Sequence, residues 1–186
     1  MPETSNVDEQ PSKIQNVRET LRGFELESVK PLLDEKHDID PTVGIVIVGL
    51  GGETMRQAGQ KYHYHGAKIL TSSPEHPNFV KPHFHKHGEE PYRILSGDGC
   101  EMNLGRVENE EVTWNEPIMV KPGDEIEVQE GEVHSLRNTG EEELIFIFAC
   151  PNSHLEDFDS ENHPNGDRYI VADLPNGLPP QYPKAA

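Results

Sequence analysis

The feature that most restricts the fold of this sequence is a series of short β-type runs between residues 42 and 150. Each run is rich in β-branched or aromatic residues, and glycine, proline, aspartate or asparagine separates it from the next. Such a series is typical of antiparallel sandwiches and barrels. The 16 glycines and 16 prolines also favour an all-β protein over a helical bundle, because they imply many turns. The runs cover residues 42–52, 67–72, 78–86, 90–97, 100–107, 117–121, 124–129, 132–138 and 143–150.

The segments on either side of this series differ from it in composition. Residues 1–42 are predicted to form a polar N-terminal arm with one helix candidate, KIQNVRETLRGF (13–24). Because residues 1 to about 35 offer little apolar surface, we expect them to contribute little to the core. Residues 151–186 are predicted to form a proline- and aspartate-rich C-terminal extension with one strand candidate, DRYIVADL (167–174).

The charge of the chain limits its partners. Sixteen basic and 34 acidic residues give a formal net charge of -18. A surface this acidic repels phosphate backbones and anionic lipid headgroups, so we expect neither a nucleic acid nor a membrane as partner. The N-terminal sequence has no apolar signal core, and no run approaches the length of a membrane span. These features predict a cytoplasmic protein with reduced thiols at Cys100 and Cys150.

The glycine-rich segment VIVGLGGETMRQ (46–57) invites comparison with a dinucleotide-binding turn. After Gly49 and Gly51, however, the third glycine of that motif would fall at Thr54, and no alternation of strands and helices follows. We therefore interpret the segment as a turn.

Three histidines alternate in the segment KPHFHKHGEEPYRILSGDG (81–99). In a strand, side chains alternate between the two faces, so His83 and His85 share a face with Lys81. A hairpin that returns through Gly88 can bring the carboxylate of Glu90 beside both imidazoles. This arrangement predicts a metal site.

The alternative interpretation is a histidine-rich surface loop that buffers metal weakly. His63, His65 and His76 lie nearby in the sequence and are compatible with it. A second segment, GDEIEVQEGEVHSLRNTG (123–140), bears on the choice, because it reads as turn, strand, turn and strand with a single histidine, His134.

Together the two segments resemble the two conserved motifs of the cupin superfamily. His83-x-His85-x4-Glu90-x6-Gly97 resembles the first, and Gly123-x5-Gln129-x-Gly131-x2-His134-x3-Asn138 resembles the second. Two turn positions depart from the motifs: Pro77 replaces the usual opening glycine, and Gln129 replaces a proline.

The resemblance implies a double-stranded β-helix, the jelly-roll barrel of the cupins, over residues 43–150. It also implies four metal ligands inside the barrel: His83, His85, Glu90 and His134. Glu89 is an alternative to Glu90, although only Glu90 has the motif spacing to Gly97. His87 matches no motif position and is predicted to lie on the rim.

Three imidazoles and one carboxylate suit a divalent metal ion. Iron or manganese is favoured by ligand type, and nickel, cobalt, copper and zinc also accept such ligands. Zinc could instead form a closed tetrahedral shell with the four side chains. Tyr92 and Lys81, in phase with the ligands, are predicted catalytic residues, because a phenol or an ammonium beside the metal can orient a polar substrate or transfer a proton.

The segment 79–105 looks like small single-domain cupins labelled mannose-6-phosphate isomerase-like. This resemblance implies a metal-dependent oxidoreductase or isomerase, of dioxygenase, decarboxylase or isomerase type, that acts on a small polar acid or a sugar derivative. The alternatives are a non-catalytic cupin that binds or senses a small molecule, and a storage barrel. A shared fold does not fix function, so the resemblance leaves these alternatives open. A homodimer is implied by the resemblance alone.

Overall fold

The computed structural model describes residues 13–36, 44–55, 60–72 and 78–182. Two α-helices precede the strands: α1 (Lys13–Arg22) and α2 (Leu26–Asp34). The strands are β1 (Ile45–Met55), β2 (Lys61–Ile69), β3 (His83–Phe84), β4 (Glu90–Ser96), β5 (Cys100–Glu108), β6 (Glu111–Trp114), β7 (Ile118–Val120), β8 (Glu125–Val128), β9 (Val133–Asn138), β10 (Leu144–Cys150) and β11 (Tyr169–Ile170). A short 3-10 helix, Asn152–Leu155, follows β10.

The strands form two antiparallel sheets that pack face to face. One sheet has the order β1-β2-β10-β4-β8, and the other has the order β11-β3-β9-β5-β6, with β7 paired to β5. The core between them combines residues of both sheets, among them Ile94 and Phe146 from the first and Met102 and Leu136 from the second. The predicted all-β double-stranded β-helix is confirmed.

Strand β10 is apolar along its whole length because both of its faces are covered. Phe146 and Phe148 point into the core between the sheets, whereas Ile145 and Ile147 point to the opposite face. Side chains on a strand alternate between faces, so a continuous apolar run requires a second covering layer. The two N-terminal helices provide that layer.

The expectation that the N-terminal segment contributes little to the core is wrong for residues 13–36. Four apolar side chains of the helices, each at most 2% exposed, pack on the outer face of the first sheet. They are Val17, Leu21, Val29 and Leu33. The segment is polar overall, yet its few apolar residues lie on one side and bury together, which is what an amphipathic helix requires. Residues 1–12 lie outside the described residues.

Arg93 on β4 fixes the end of α1 to the sheet. Its Nη1 donates to the backbone carbonyl oxygens of Leu21, Arg22 and Phe24, at 3.3, 3.1 and 2.9 Å. The last carbonyl groups of a helix lack intrahelical partners, and a cation near them is stabilising. Strand β4 therefore positions the helix layer through its outward-facing arginine.

The C-terminal extension returns across the second sheet. Its strand candidate is reduced to β11, which pairs with β3 so that Ile170 lies opposite His83. The strand predicted over residues 78–86 is likewise reduced to His83–Phe84. Farther along, the Tyr182 hydroxyl lies 2.9 Å from the Ser135 hydroxyl on β9. The extension therefore belongs to the barrel wall.

The glycine-rich segment is part of β1, so its interpretation as a turn is wrong. Strand β1 runs through it, and the pairing with β2 is irregular between Gly49 and Glu53. Gly51 and Gly52 both have φ of +76°, a left-handed conformation that glycine adopts without strain.

Cys100 and Cys150 are both buried and free. Within the described residues, no helix combines the length and the apolar character that crossing a membrane needs.

Candidate metal centre

The centre lies between the sheets, where β3 and β9 are neighbours in one sheet and β4 begins in the other. His83 and His134 are direct partners in the antiparallel pairing of β3 with β9. Glu90 is the first residue of β4. The ligand atoms of four buried side chains lie within 4.8 Å of one another, and these side chains are His83, His85, Glu90 and His134.

Three ligand atoms of this group converge without hydrogen-bond partners. Glu90 Oε2 lies 3.0 Å from His85 Nε2 and 3.8 Å from His134 Nε2. All three atoms are buried and unpartnered. A buried polar atom without a partner costs about 1–3 kcal/mol, so native proteins rarely tolerate several at one point. A divalent cation among these atoms would satisfy all three, and the residues therefore fit a metal ion.

Backbone carbonyls fix the orientation of each histidine ring. His83 Nδ1 lies 2.6 Å from the backbone carbonyl oxygen of Lys81. His85 Nδ1 lies 2.9 Å from that of Asp167, and His134 Nδ1 lies 3.3 Å from that of Glu132. A carbonyl oxygen can only accept, so each Nδ1 carries the proton and each Nε2 presents a lone pair. This is the usual outer support of a metal-binding histidine.

Burial sets the charge of the group. It lowers the pKa of His83 well below its ordinary value and lowers the pKa of His134 to about 4. Burial raises the pKa of the Glu90 carboxyl, but the neighbouring imidazoles of His154, His85 and His134 outweigh it and hold that pKa well below the ordinary range. At neutral pH, His83 and His134 are therefore neutral and Glu90 is ionised, as metal binding requires.

Glu89, the alternative to Glu90, and His87, the predicted rim residue, both lie outside the cluster. Glu89 is absent from the metal-binding groups of the described residues, and its backbone carbonyl accepts a hydrogen bond from the Tyr62 hydroxyl at 2.8 Å. The side chain of His87 is 70% exposed, with Nδ1 at 3.3 Å from Asp167 Oδ1. His87 thus lies at the rim.

The predicted catalytic residues lie at different depths. The buried Tyr92 hydroxyl donates to Glu90 Oε1 at 2.9 Å, and burial raises the pKa of this phenol well above its ordinary value. Tyr92 therefore stays protonated and holds the carboxylate. Lys81 is exposed and lines the cavity beside the centre.

The C-terminal extension supplies two residues that the sequence did not indicate. The ring of His154 stacks on that of His85, with centroids 3.8 Å apart and planes 3° apart. The carboxylate of Asp167 accepts the backbone N–H groups of Lys86 and His87, both at 3.0 Å. His85, His154 and Asp167 form a second buried group with metal-ligand spacing.

His63 and His65 lie on β2, not in a surface loop. His65 is 8% exposed and stacks on Phe148, with ring centroids 5.1 Å apart, and burial lowers its pKa. Neither histidine joins the groups with metal-ligand spacing in the described part of the chain. His76 and Pro77 lie outside the described residues.

A cavity of about 310 Å³ adjoins the centre. Its lining includes polar residues of the centre: His83, Glu90, Tyr92 and His154. Its volume is at the lower end of the range of about 300–1,000 Å³ that is typical of small-molecule sites. The centre is therefore open to a small ligand.

No protein-family model matches the sequence, and no curated protein matches it either. Among solved structures, a complex of oxalate oxidase with the substrate analogue glycolate is 13% identical, with a TM-score of 0.48. The match covers 63% of this chain and 55% of that one, so this chain spans about half the length of that enzyme.

Two bacterial proteins show a similar degree of likeness. A Klebsiella pneumoniae protein with a double-stranded β-helix domain is 20% identical, with a TM-score of 0.44 over 66% of this chain and 85% of that one. The protein TT1209 from Thermus thermophilus is 16% identical, with a TM-score of 0.47 over 69% and 98% of the two chains. The fold assignment follows from the strand pairing of the chain itself.

Proposed function

We propose that this chain is a metal-binding cupin that holds one divalent ion. The observation that carries the proposal is the convergence of unpartnered, buried ligand atoms on His85, Glu90 and His134. His83 completes the group. Imidazole nitrogens with one carboxylate suit iron, manganese, nickel, cobalt, copper and zinc, and the ligand type favours iron or manganese. The order and spacing of the two sequence motifs support the same conclusion.

We further infer that the centre is an enzyme active site. The bound ion would act as a Lewis acid toward an oxygen atom of the substrate, and iron or manganese would add redox chemistry. Tyr92 holds Glu90 through its hydroxyl, which leaves Oε2 directed at the ligand cluster. The ligand side chains are buried, and the low dielectric of a protein interior strengthens the electrostatic interactions among them.

The reaction is proposed only by class: dioxygenase, decarboxylase or isomerase acting on a small oxygen-bearing molecule. The resemblance to mannose-6-phosphate isomerase-like cupins does not identify a substrate, because a fold of this kind hosts many chemistries. The homodimer and the cytoplasmic location remain predictions from the sequence.

Elemental analysis of protein purified without added metal tests the proposal. We expect about one transition-metal ion per chain. A ligand that binds only the folded state raises its stability, so EDTA should lower the melting temperature and Mn(II) should restore it. The barrel should stay folded without the ion because it has its own apolar core. A melting temperature that responds neither to EDTA nor to Mn(II) would contradict a metal site.

A further inference from the structure

The cavity beside the centre has an apolar wall. Inward-facing residues of three strands form much of it: Ile45 and Ile47 from β1, Ala67 from β2, and Phe146 and Phe148 from β10. These side chains offer no hydrogen bonds. A hydroxyl group placed against them would lose its bonds to water without replacement, which is unfavourable. This wall suits a hydrocarbon chain or ring better than a polyol.

The lining of the cavity also offers one acceptor without a donor, on His154. His154 has a side chain that is 1% exposed, and its Nε2 lies 2.8 Å from the His87 carbonyl oxygen. Because that oxygen can only accept, Nε2 carries the proton and Nδ1 presents a lone pair. Nδ1 is buried, has no hydrogen-bond partner, and lies 3.6 Å from Glu90 Oε2, which is also an acceptor. Two acceptors face each other, and neither has a donor.

A cation lies along the same cavity. Lys81 lines it, is exposed, and makes no ion pair with any of the residues that the structure describes. Arg168 also lines the cavity, but its guanidinium is already paired with Asp157. Lys81 is therefore the cation available to an anionic group of a ligand.

We propose that this cavity binds a small hydroxycarboxylic acid with an apolar side chain or ring, and that its hydroxyl donates to His154 Nδ1. The carboxylate lies toward Lys81 and the apolar part lies against Ile47 and Phe148. This inference rests on the proposed function, because it places the ligand beside the same centre. It narrows the substrate class expected from the sequence by excluding sugar derivatives.

Calorimetric titration of the Mn(II)-saturated protein with three carboxylates tests the inference. Mandelate has an apolar ring and a hydroxyl, phenylacetate lacks the hydroxyl, and gluconate replaces the apolar ring with a polyol. We expect mandelate to bind at least about tenfold more tightly than phenylacetate, since a site built to accept a hydroxyl discriminates strongly against its absence. We expect the same margin over gluconate, since the apolar wall offers no hydrogen bonds to the hydroxyls of a polyol. Equal affinity for gluconate and mandelate would overturn the apolar-ligand class.

Two variants separate the contributions. His154→Phe keeps an aromatic ring beside His85 and removes the acceptor, so mandelate should bind the Mn(II)-saturated variant only as well as phenylacetate does. Ile47 is half-buried in the apolar wall of the cavity. Ile47→Asn should weaken mandelate binding at least about threefold and reduce the ratio of mandelate affinity to gluconate affinity. Unchanged mandelate binding in a folded His154→Phe protein would refute the role of His154.

Titration of the parent with Mn(II) alone distinguishes this inference from the proposed function. Absence of Mn(II) binding would overturn the metal centre, and mandelate can still be titrated against the metal-free protein. Tight Mn(II) binding without preference for mandelate would leave the metal centre standing and overturn the ligand class.

Discussion

His83 and His134 lie opposite each other on neighbouring antiparallel strands, with their ring centroids 4.2 Å apart. The two residues come from distant parts of the chain, and only the pairing of β3 with β9 brings them together. Directly opposed residues on antiparallel strands have their side chains on the same face. The two motif segments therefore meet at this pair, on the interior face of the barrel.

The pairing predicts that His83→Ala and His134→Ala lose metal affinity to a similar degree. Each change removes one ligand atom from the same ion, so each should cost more than the roughly 10–100-fold loss that is usual for an outer-shell partner. Calorimetric titration of both variants with Mn(II) or Zn(II) measures the loss. His87→Ala is the control, because its ring is exposed at the rim. A histidine-rich surface buffer predicts the reverse, with His134→Ala binding as the parent does.

Asp167 is expected to support the centre without being one of its four ligands. Its carboxylate holds the backbone of Lys86 and His87, next to the ligand His85. Asp167→Ala should therefore reduce metal affinity by about 10–100-fold. The matched control is Asp159→Ala, in the same extension, where the carboxylate accepts only local bonds such as that from Glu161 N. Equal metal affinity for the two variants would show that Asp167 does not position the histidine segment.

The sequence predicted most of the strands, because strand patterns depend on short-range spacing, whereas the grouping of His134 with His83, His85 and Glu90 was implied only by the resemblance to the cupin motifs. Tyr92 and Ile94 lie in phase with Glu90 and are buried in the core between the sheets, as a period of two requires. Leu136 is in phase with His134 and lies in the same core.

The rest could not be predicted because it depends on tertiary contacts. Helix α2 has nine residues, contains Pro31, and buries only Val29 and Leu33, so its periodicity is too short to recognise. His154 lies in the short 3-10 helix that follows β10, and no spacing links it to the motifs. Only the return of the C-terminal extension across the barrel brings it beside Glu90.

The metal-free protein is expected to lose stability as the pH falls from 6.5 to about 4. Burial lowers the pKa of His134 from 6.5 to about 4, so the unfolded chain binds a proton at a higher pH than the folded chain does. Stability therefore rises with pH across this window and is lost as the pH falls. A shift of this size contributes on the order of 3 kcal/mol, and His83 acts in the same direction.

Denaturant titrations in EDTA at pH 7, 6 and 5 measure this dependence. His134→Gln should show a shallower slope of unfolding free energy against pH, because it removes one of the buried titrating groups. Leu32→Ala, which removes an exposed side chain that does not titrate, should keep the slope of the parent. A parent protein whose stability is the same at all three pH values would contradict buried neutral histidines.

The helix layer provides the last prediction, through two adjacent leucines of α2. Leu33 is fully buried and packs with the outer face of the first sheet, whereas Leu32 is 44% exposed. Leu33→Ala should lower the free energy of unfolding by about 2–5 kcal/mol, because it removes buried apolar surface and leaves a cavity. Leu32→Ala should change it by only about 0.5 kcal/mol. Both substitutions place the same residue in the same helix, so the difference reports burial alone. Denaturant unfolding of the two variants measures it, and equal small losses would mean that the N-terminal segment is the loosely attached arm expected from its composition.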